Sequence, residues 1–369
     1  MNDTRSPPRA ARLDLRVSPR RRRARGAFTL IEVMIAIALS AFAVAGLYGL
    51  FSVQSRQLMT QDINMEMHQN LRFASDMLTR SVRVAGFGTA GEVAGIYGPN
   101  GASDENDLLP VIIPHDGGSD ADAITVVYAD PSLQMETRND IVPTCDTTEL
   151  GFRADMLDYS EKLQQYVAGD TLLCMDFADI SGMKSYLWSI AGAPDTTNGT
   201  IPVGDLSGYS DYAALCEPGE NLSPIISCSR GTVATFYIDA VDDGVGPGSE
   251  SHPVLMMDSN LNWPASDDVP LVDNIEDMQI EYCLDDGTKS ADCSLSTSWD
   301  DDFDTAQITN VWMVRISLLV RSARPDFRDQ YPGKRPALGN RTEGGDDNYY
   351  RETLVNEVTV RNLRYQAGI

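Results

Sequence analysis

The sequence predicts an α+β fold, a long N-terminal helix packed on an antiparallel β-sheet head. Three observations carry this. Residues 33–53 form a 21-residue run without a charge. Apolar positions then recur at helical spacing as far as Ala85. Beyond residue 88, apolar residues alternate with polar ones in short segments separated by turn-rich, acidic stretches. The expected division is a basic leader (1–27), a helix (28–88) whose membrane span is 33–53, and an acidic exported head (89–369).

The leader comes first. Residues 1–27 hold nine arginines against Asp3 and Asp14, a net of +7; the whole chain is −25, so residues 28–369 carry −32. A body that acidic repels nucleic acid and anionic lipid head groups, and neither is expected as its partner. Its bland reading is solubility.

From Val33 to Val53 a helix is about 31 Å long, enough to span a bilayer core. The preceding arginines keep the N-terminus cytoplasmic and send the body outward. Glu32 then needs a reason, because a mid-span acid costs roughly 2.5–3.5 kcal/mol on insertion scales. A cleaved secretory signal, with small-residue sites at Ala41-Phe42-Ala43 or Ala43-Val44-Ala45, leaves the acid unexplained. So does an uncut anchor. A cut just before Phe28 gives it a role. The new α-amino group would sit at a helix start, where positive charge opposes the macrodipole, and a carboxylate one turn on would compensate it. The same carboxylate could pair with a neighbouring subunit's amine.

Gly-Ala-Phe-Thr-Leu-Ile-Glu-Val-Met-Ile-Ala (26–36) resembles the type IV prepilin signature. The resemblance implies a dedicated prepilin peptidase that removes the leader and methylates the new N-terminus. In that family the cut directly follows glycine and glutamate is fifth in the mature chain. Here Ala27 stands between Gly26 and Phe28. A cut after Ala27 makes Phe28 first and Glu32 fifth, and is favoured because it keeps the amine-to-carboxylate register; a cut after Gly26 makes Glu32 sixth.

The helix is expected to continue. Met59, Ile63, Met67, Leu71, Ala74, Leu78, Val82 and Ala85 recur three or four residues apart, a single helical stripe. No proline interrupts residues 27–98, and Gly86 and Gly88 supply a stop. Residues 70–88 resemble the PilW-type minor pilins, through Arg72, Phe73, Ala74, Leu78, Arg80, Arg83, Ala85, Gly86, Phe87 and Gly88. Arg72, Arg80 and Arg83 read either as a basic stripe facing the acidic head or an acidic neighbour, or as solvated helix charges.

Strands are expected at 123–129, 170–177, 232–239, 253–257, 275–284, 309–322 and 353–365. Trp312, Val314, Ile316, Leu318 and Val320 share one face, and Met278, Ile280 and Tyr282 alternate with Gln279 and Glu281. The segments at 271–287, 311–322 and 358–363 also follow the PilW order; the resemblance fades over about 95–270. The 27 residues between Arg324 and Tyr350 read as a long exposed loop.

Six cysteines (Cys145, Cys174, Cys216, Cys228, Cys283, Cys293) form no C-x-x-C pair, which argues against a zinc or thioredoxin-like site. In an exported body they read as disulfides, with fifteen connectivities open. Short loops favour Cys216–Cys228 and Cys283–Cys293, leaving Cys145–Cys174. No phosphate loop, H-E-x-x-H or G-x-S-x-G occurs, so no enzyme is expected. No cofactor is expected either; calcium is the metal with a partial motif, since Asp239, Asp243 and Glu250 hold positions 1, 5 and 12 of a calcium loop, but Val241 spoils position 3.

The resemblance implies a pilin-like minor pilin, itself a substrate of the prepilin peptidase, sitting with other minor and major pilins at the pilus tip. The implied partners extend to an inner-membrane assembly platform and a tip adhesin. The head would begin in the periplasm and end on the pilus. A J-type pseudopilin of type II secretion shares the leader and helix, and an acidic periplasmic binding protein with an ordinary signal peptide is the alternative from another class.

Overall fold

The computed structural model describes residues 29–89, 95–97, 109–138, 143–144, 147–176, 184–204, 226–241, 251–259, 268–284, 293, 299–301, 311–326 and 333–362. Helix α1 runs from Leu30 to Val84. It crosses the boundary between two compact units, residues 1–60 and 61–369.

In the first unit the described part of α1 is apolar enough to cross a membrane, and none of its most apolar stretch is buried. Leu30, Leu39, Phe42, Leu47 and Phe51 are all exposed. A helix greasy on every side has no aqueous solution to its burial problem, so lipid or other helices must cover it. Met59, expected in the packed stripe, is half exposed at 50%, because it belongs to this uncovered unit.

In the second unit the stripe is one-sided as expected. Met67, Leu71, Ala74, Leu78, Val82 and Ala85 are buried, and Ile63 packs beside them. Helical backbone stops at Val84; Gly86 (φ 76°) and Gly88 (φ 77°) take the left-handed conformation that glycine adopts without a Cβ penalty. The turn is sewn into the sheet. Gly86 N–H donates to Val127 O and Ala129 N–H donates to Phe87 O, each at 2.8 Å. A Cβ on Gly88 would overlap the Cβ of Ala129. From the other end of the chain, Asn362 Nδ2 donates to the helix-end carbonyls of Val84 (3.2 Å) and Ala85 (3.0 Å).

The head holds two main sheets. The strands that matter here are β1 (Ala123–Ala129), β2 (Thr171–Asp176), β3 (Lys184–Ile190), β4 (Ile226–Val241), β5 (His252–Asp258), β6 (Val269–Asp273), β7 (Ile275–Leu284), β8 (Val311–Arg321) and β9 (Arg351–Thr359). All seven expected strands are present; the last ends at Thr359 rather than 365. The larger sheet runs β6-β5-β4-β2-β3, with β1 also on β4. The smaller runs from Trp299–Asp300 through β7 and β8 to β9. Pairing is antiparallel except that Gly95–Tyr97 lies parallel to β3 among the described residues. Asn274 (φ 64°) is the corner where the chain changes sheets. Its N–H donates to Pro253 O at 2.7 Å and its carbonyl accepts from Arg321 N–H at 2.9 Å, so one residue ties both sheets.

The main core lies where α1 meets both sheets, with Ile124, Val126, Leu173, Leu187, Val233 and Phe236 from one and Met278, Ile280, Tyr282, Val314, Ile316 and Leu318 from the other. Because side chains alternate along a strand, the opposite face of the larger sheet builds a second core. Leu172 and Cys174 of β2, Tyr186, Trp188 and Ile190 of β3, and Ile226 and Cys228 of β4 pack there against Leu133, Met135, Leu150, Phe152, Leu163 and Tyr166. Tyr166 hydroxyl donates to Leu133 O at 2.5 Å, and burial raises that phenol's pKa.

The cysteines correct the expected pairing. Cys174 bonds to Cys228, not Cys216 to Cys228, whereas Cys283–Cys293 is as expected. Cys174 and Cys228 are direct partners in the β2–β4 register, their Cα atoms 3.9 Å apart. Register had already brought together residues 54 apart, so loop length was no guide. Cys145 and Cys216 lie outside the described residues.

The stretch expected as a loose loop between Arg324 and Tyr350 is, from Gly333 on, a strap across the outer face of the smaller sheet. Gly333–Lys334 pairs with Asp346–Asp347. Asp277, fully buried on β7, takes Arg335 at 3.3 Å and Arg341 at 3.1 Å. Gln279, 1% exposed, donates to Asp120 O (2.9 Å) and Asp277 Oδ1 (3.1 Å), and Gly339 packs on its side chain. At the strap's exit Arg351 grips Glu276 (2.5 Å) and Asp347 (2.5 Å). Burial pushes the Asp277 carboxyl up in pKa, against the pull of the two arginines.

Candidate assembly site

The first turn of α1 organises Glu32. Thr29 precedes the helix, and its N–H donates to Glu32 Oε2 at 2.9 Å while its hydroxyl donates to the same oxygen at 3.1 Å. Glu32 N–H in turn donates to Thr29 Oγ1 at 3.4 Å. This is a capping box, T-x-x-E, which satisfies two of the four N–H groups that a helix start leaves orphaned. The motif was readable in Thr29-Leu30-Ile31-Glu32 but was overlooked beside the question of lipid cost. Glu32 therefore has a local role: it closes its own helix. Only Oε2 is engaged; Oε1 has no partner among the described residues.

Gly26, Ala27 and Phe28, the expected cleavage residues, lie outside the described residues. Of the calcium-loop positions, Asp239 stands on β4, where its Oδ1 accepts from Ala240 N–H at 2.7 Å; Asp243 and Glu250 lie outside the described residues. Among the described residues no group of three or more His, Cys, Asp or Glu side chains is disposed to hold a metal ion.

Further along α1, polar pins hold the helix to the head. Asn70 Nδ2 donates to Asp273 O at 3.0 Å, Asn356 of β9 donates to Ser75, and His68 Nδ1 meets Glu352 at 3.2 Å. The arginines expected as a basic stripe do not join them. Arg72, Arg80 and Arg83 are exposed and turned away from the head. On the head, Asp122 of the loop before β1 is buried at 3% exposure and bridges to the other sheet. Its Oδ2 accepts from Ile280 N–H at 2.8 Å and its Oδ1 from Gly117 N–H at 3.0 Å. Burial nevertheless raises its pKa to about 6.

Residues 22–48 match the prokaryotic N-terminal methylation motif, and residues 235–362 match the family described as type IV pilus-assembly protein W. The second match takes in β5 to β9, the strap, the Asn274 corner and the second half of β4. It begins earlier than the fading of resemblance at about residue 270 suggested, and it leaves the second core wholly outside. A solved structure, a type IV-like pilin from Thermus thermophilus, aligns at 10% identity and a TM-score of 0.30 over 80% of this chain and 96% of that one. Among curated proteins none matches the chain.

Proposed function

We propose that this chain, whose N-terminus matches the prokaryotic methylation motif and whose C-terminal third matches PilW, is a type IV pilus minor pilin of the PilW family, and that it primes assembly at the pilus tip after losing its leader between Ala27 and Phe28. It works among other pilins. Its role is structural: the prepilin peptidase acts on it, and it catalyses nothing itself. The helix is held in the inner membrane with the N-terminus cytoplasmic and the head in the periplasm, on the arginine bias of the leader. An assembly platform in that membrane draws it into the filament, where the head can present an adhesin.

The observation that carries the reading is the geometry at Glu32. Cutting before Phe28 would create an ammonium one residue upstream of Thr29 in sequence, and the Glu32 carboxylate spends one oxygen on its capping box and leaves the other without a partner among the described residues. A neighbouring subunit's terminal amine meets the same open oxygen when apolar helices bundle. In a water-poor bundle such a pair is strong, and losing one partner leaves an uncompensated charge worth about 3–5 kcal/mol.

Two measurements test this. The mass of the intact N-terminus should correspond to a methylated chain starting at Phe28; a start at Val44 or Gly46, or an uncut leader, ends the proposal. Glu32→Ala should leave leader removal largely intact yet deplete the subunit from the sheared pilus fraction. Normal piliation in that variant would contradict the pairing role.

A further inference from the structure

The buried positions Met67, Leu71, Ala74, Leu78 and Val82 fix which side of α1 faces the head. At about 100° per residue, Arg72, Arg80 and Arg83 fall on the opposite side within an arc of about 80°. All three are exposed, and none has an ion pair or hydrogen bond among the described residues, although Asp76, also exposed, falls within the same arc. Phe73 (55% exposed) stands next to Arg72 on the helix, and Phe87 (42%) is in the turn just past the helix end.

Most other arginines described in the head are engaged, Arg324 and Arg361 excepted. Arg153, Arg230, Arg315, Arg335, Arg341 and Arg351 each hold a carboxylate. In a body of net charge −32, three unpaired arginines on one helix face do not reflect a shortage of acid. Exposed arginine beside exposed aromatic is also the composition of protein interface centres.

We propose that the Arg72–Arg80–Arg83 face, with Phe73 and Phe87, docks a carboxylate-rich surface on the head of a neighbouring pilin subunit of different sequence. The proposal rests on the reading of the chain as a minor pilin among other pilins. Charge decides the class of partner. A carboxylate-rich head would repel this acidic body at long range, so the two associate only where a local positive face offsets that repulsion. A two-fold pairing with a second copy is disfavoured, because it would set this basic face against itself. In sequence the face begins at Arg72, 19 residues after the uncharged run ends at Val53. Arg fits the task better than Lys, since its planar fork takes a carboxylate with two parallel hydrogen bonds.

The test uses the full chain in piliated cells. In one arm, Arg80→Lys with Arg83→Lys keeps the charge and adds amines that a carbodiimide joins to any carboxylate in direct contact. The expected product is an amide link from position 80 or 83 to an Asp or Glu of another prepilin-type subunit, mapped by mass spectrometry. In the other arm, Arg72→Glu with Arg80→Glu and Arg83→Glu should lower the subunit in the sheared pilus fraction by about tenfold or more. Leader removal and head melting should not change, because these side chains are exposed and hold no ion pair or hydrogen bond among the described residues. The docking face is overturned if links form only within the chain or to a second copy, if none form, or if the reversed variant assembles like wild type. Failure of the wild-type chain to lose its leader or to reach the pilus fraction would instead defeat the minor-pilin reading.

Discussion

Removing the two cross-links one at a time gives a graded prediction. In the chain-entropy picture, a disulfide removes loop-closure freedom from the unfolded chain as about −2.1 − 1.5R ln n cal/mol/K. For Cys174–Cys228, separated by 54 residues, this is about 4 kcal/mol at 25 °C. For Cys283–Cys293, separated by 10, it is about 3 kcal/mol. Packing widens the gap, since both Cys174 and Cys228 are fully buried in the second core. Cys174→Ala with Cys228→Ala should therefore cost at least about 1 kcal/mol more than Cys283→Ala with Cys293→Ala. The assay is urea unfolding of the full-length protein in detergent, followed by tryptophan emission. Trp188 reports on the affected core, stacked on Tyr186 at 5.7 Å. Its transition should move to lower urea than that of the rest of the head when the Cys174 pair is removed. Equal losses from the two double variants, or a larger loss from the Cys283 pair, would refute the claim that the long cross-strand bridge staples the second core.

Three further outcomes are expected. Gly88→Ala forces a side chain into left-handed backbone and into Ala129, and should cost about 2–4 kcal/mol, read as a fall in the melting temperature of the head. Asp122 has a folded pKa near 6, above its unfolded value, so it disfavours the folded state increasingly as pH rises from about 4 through 6; the penalty at neutral pH is about 3 kcal/mol. Relative to Asp122→Asn, wild type should lose stability across that window by this amount, and a flat difference would disprove the titration. The Asn variant also carries a constant loss, because it cannot accept from both Gly117 and Ile280. Asp277→Asn strips Arg335 and Arg341 of their buried partner at about 3–5 kcal/mol, so trypsin should cut after Arg341 faster than in wild type (the bond after Arg335 is closed to it by Pro336); an unchanged rate would show that the strap is held by other means.

Periodicity exposed the framework. The stripe from Met67 to Ala85 and the alternation in β7 and β8 each need only local spacing, and the helix and strands followed within a few residues. What stayed hidden depends on partners distant in sequence. Asp277 and Gln279 look like the solvent side of an amphipathic strand, yet a strap some 60 residues downstream buries them. Nothing in the Pro- and Gly-rich composition of 324–350 says which sheet its arginines will reach. The Cys174–Cys228 bridge was missed because loop entropy favours near neighbours in an open chain, whereas strand register is what set the distance. At the site, Glu32 was recognised through its fit to a leader motif, while its capping box with Thr29, fully local, was obscured by attention to the charge. The second core left little trace, since much of it comes from short segments such as Met135–Glu136 and Glu149–Gly151.

The larger sheet is a party wall. Leu173 and Leu187 face the room that α1 occupies, and Leu172, Cys174 and Trp188 furnish the room next door. Dropping or adding a single residue inside β2 or β3 would swap the furnishings of both at once. Length changes in this chain's descendants should thus be confined to connections such as 191–199, while substitution alone remodels the outer room and spares residues 235–362.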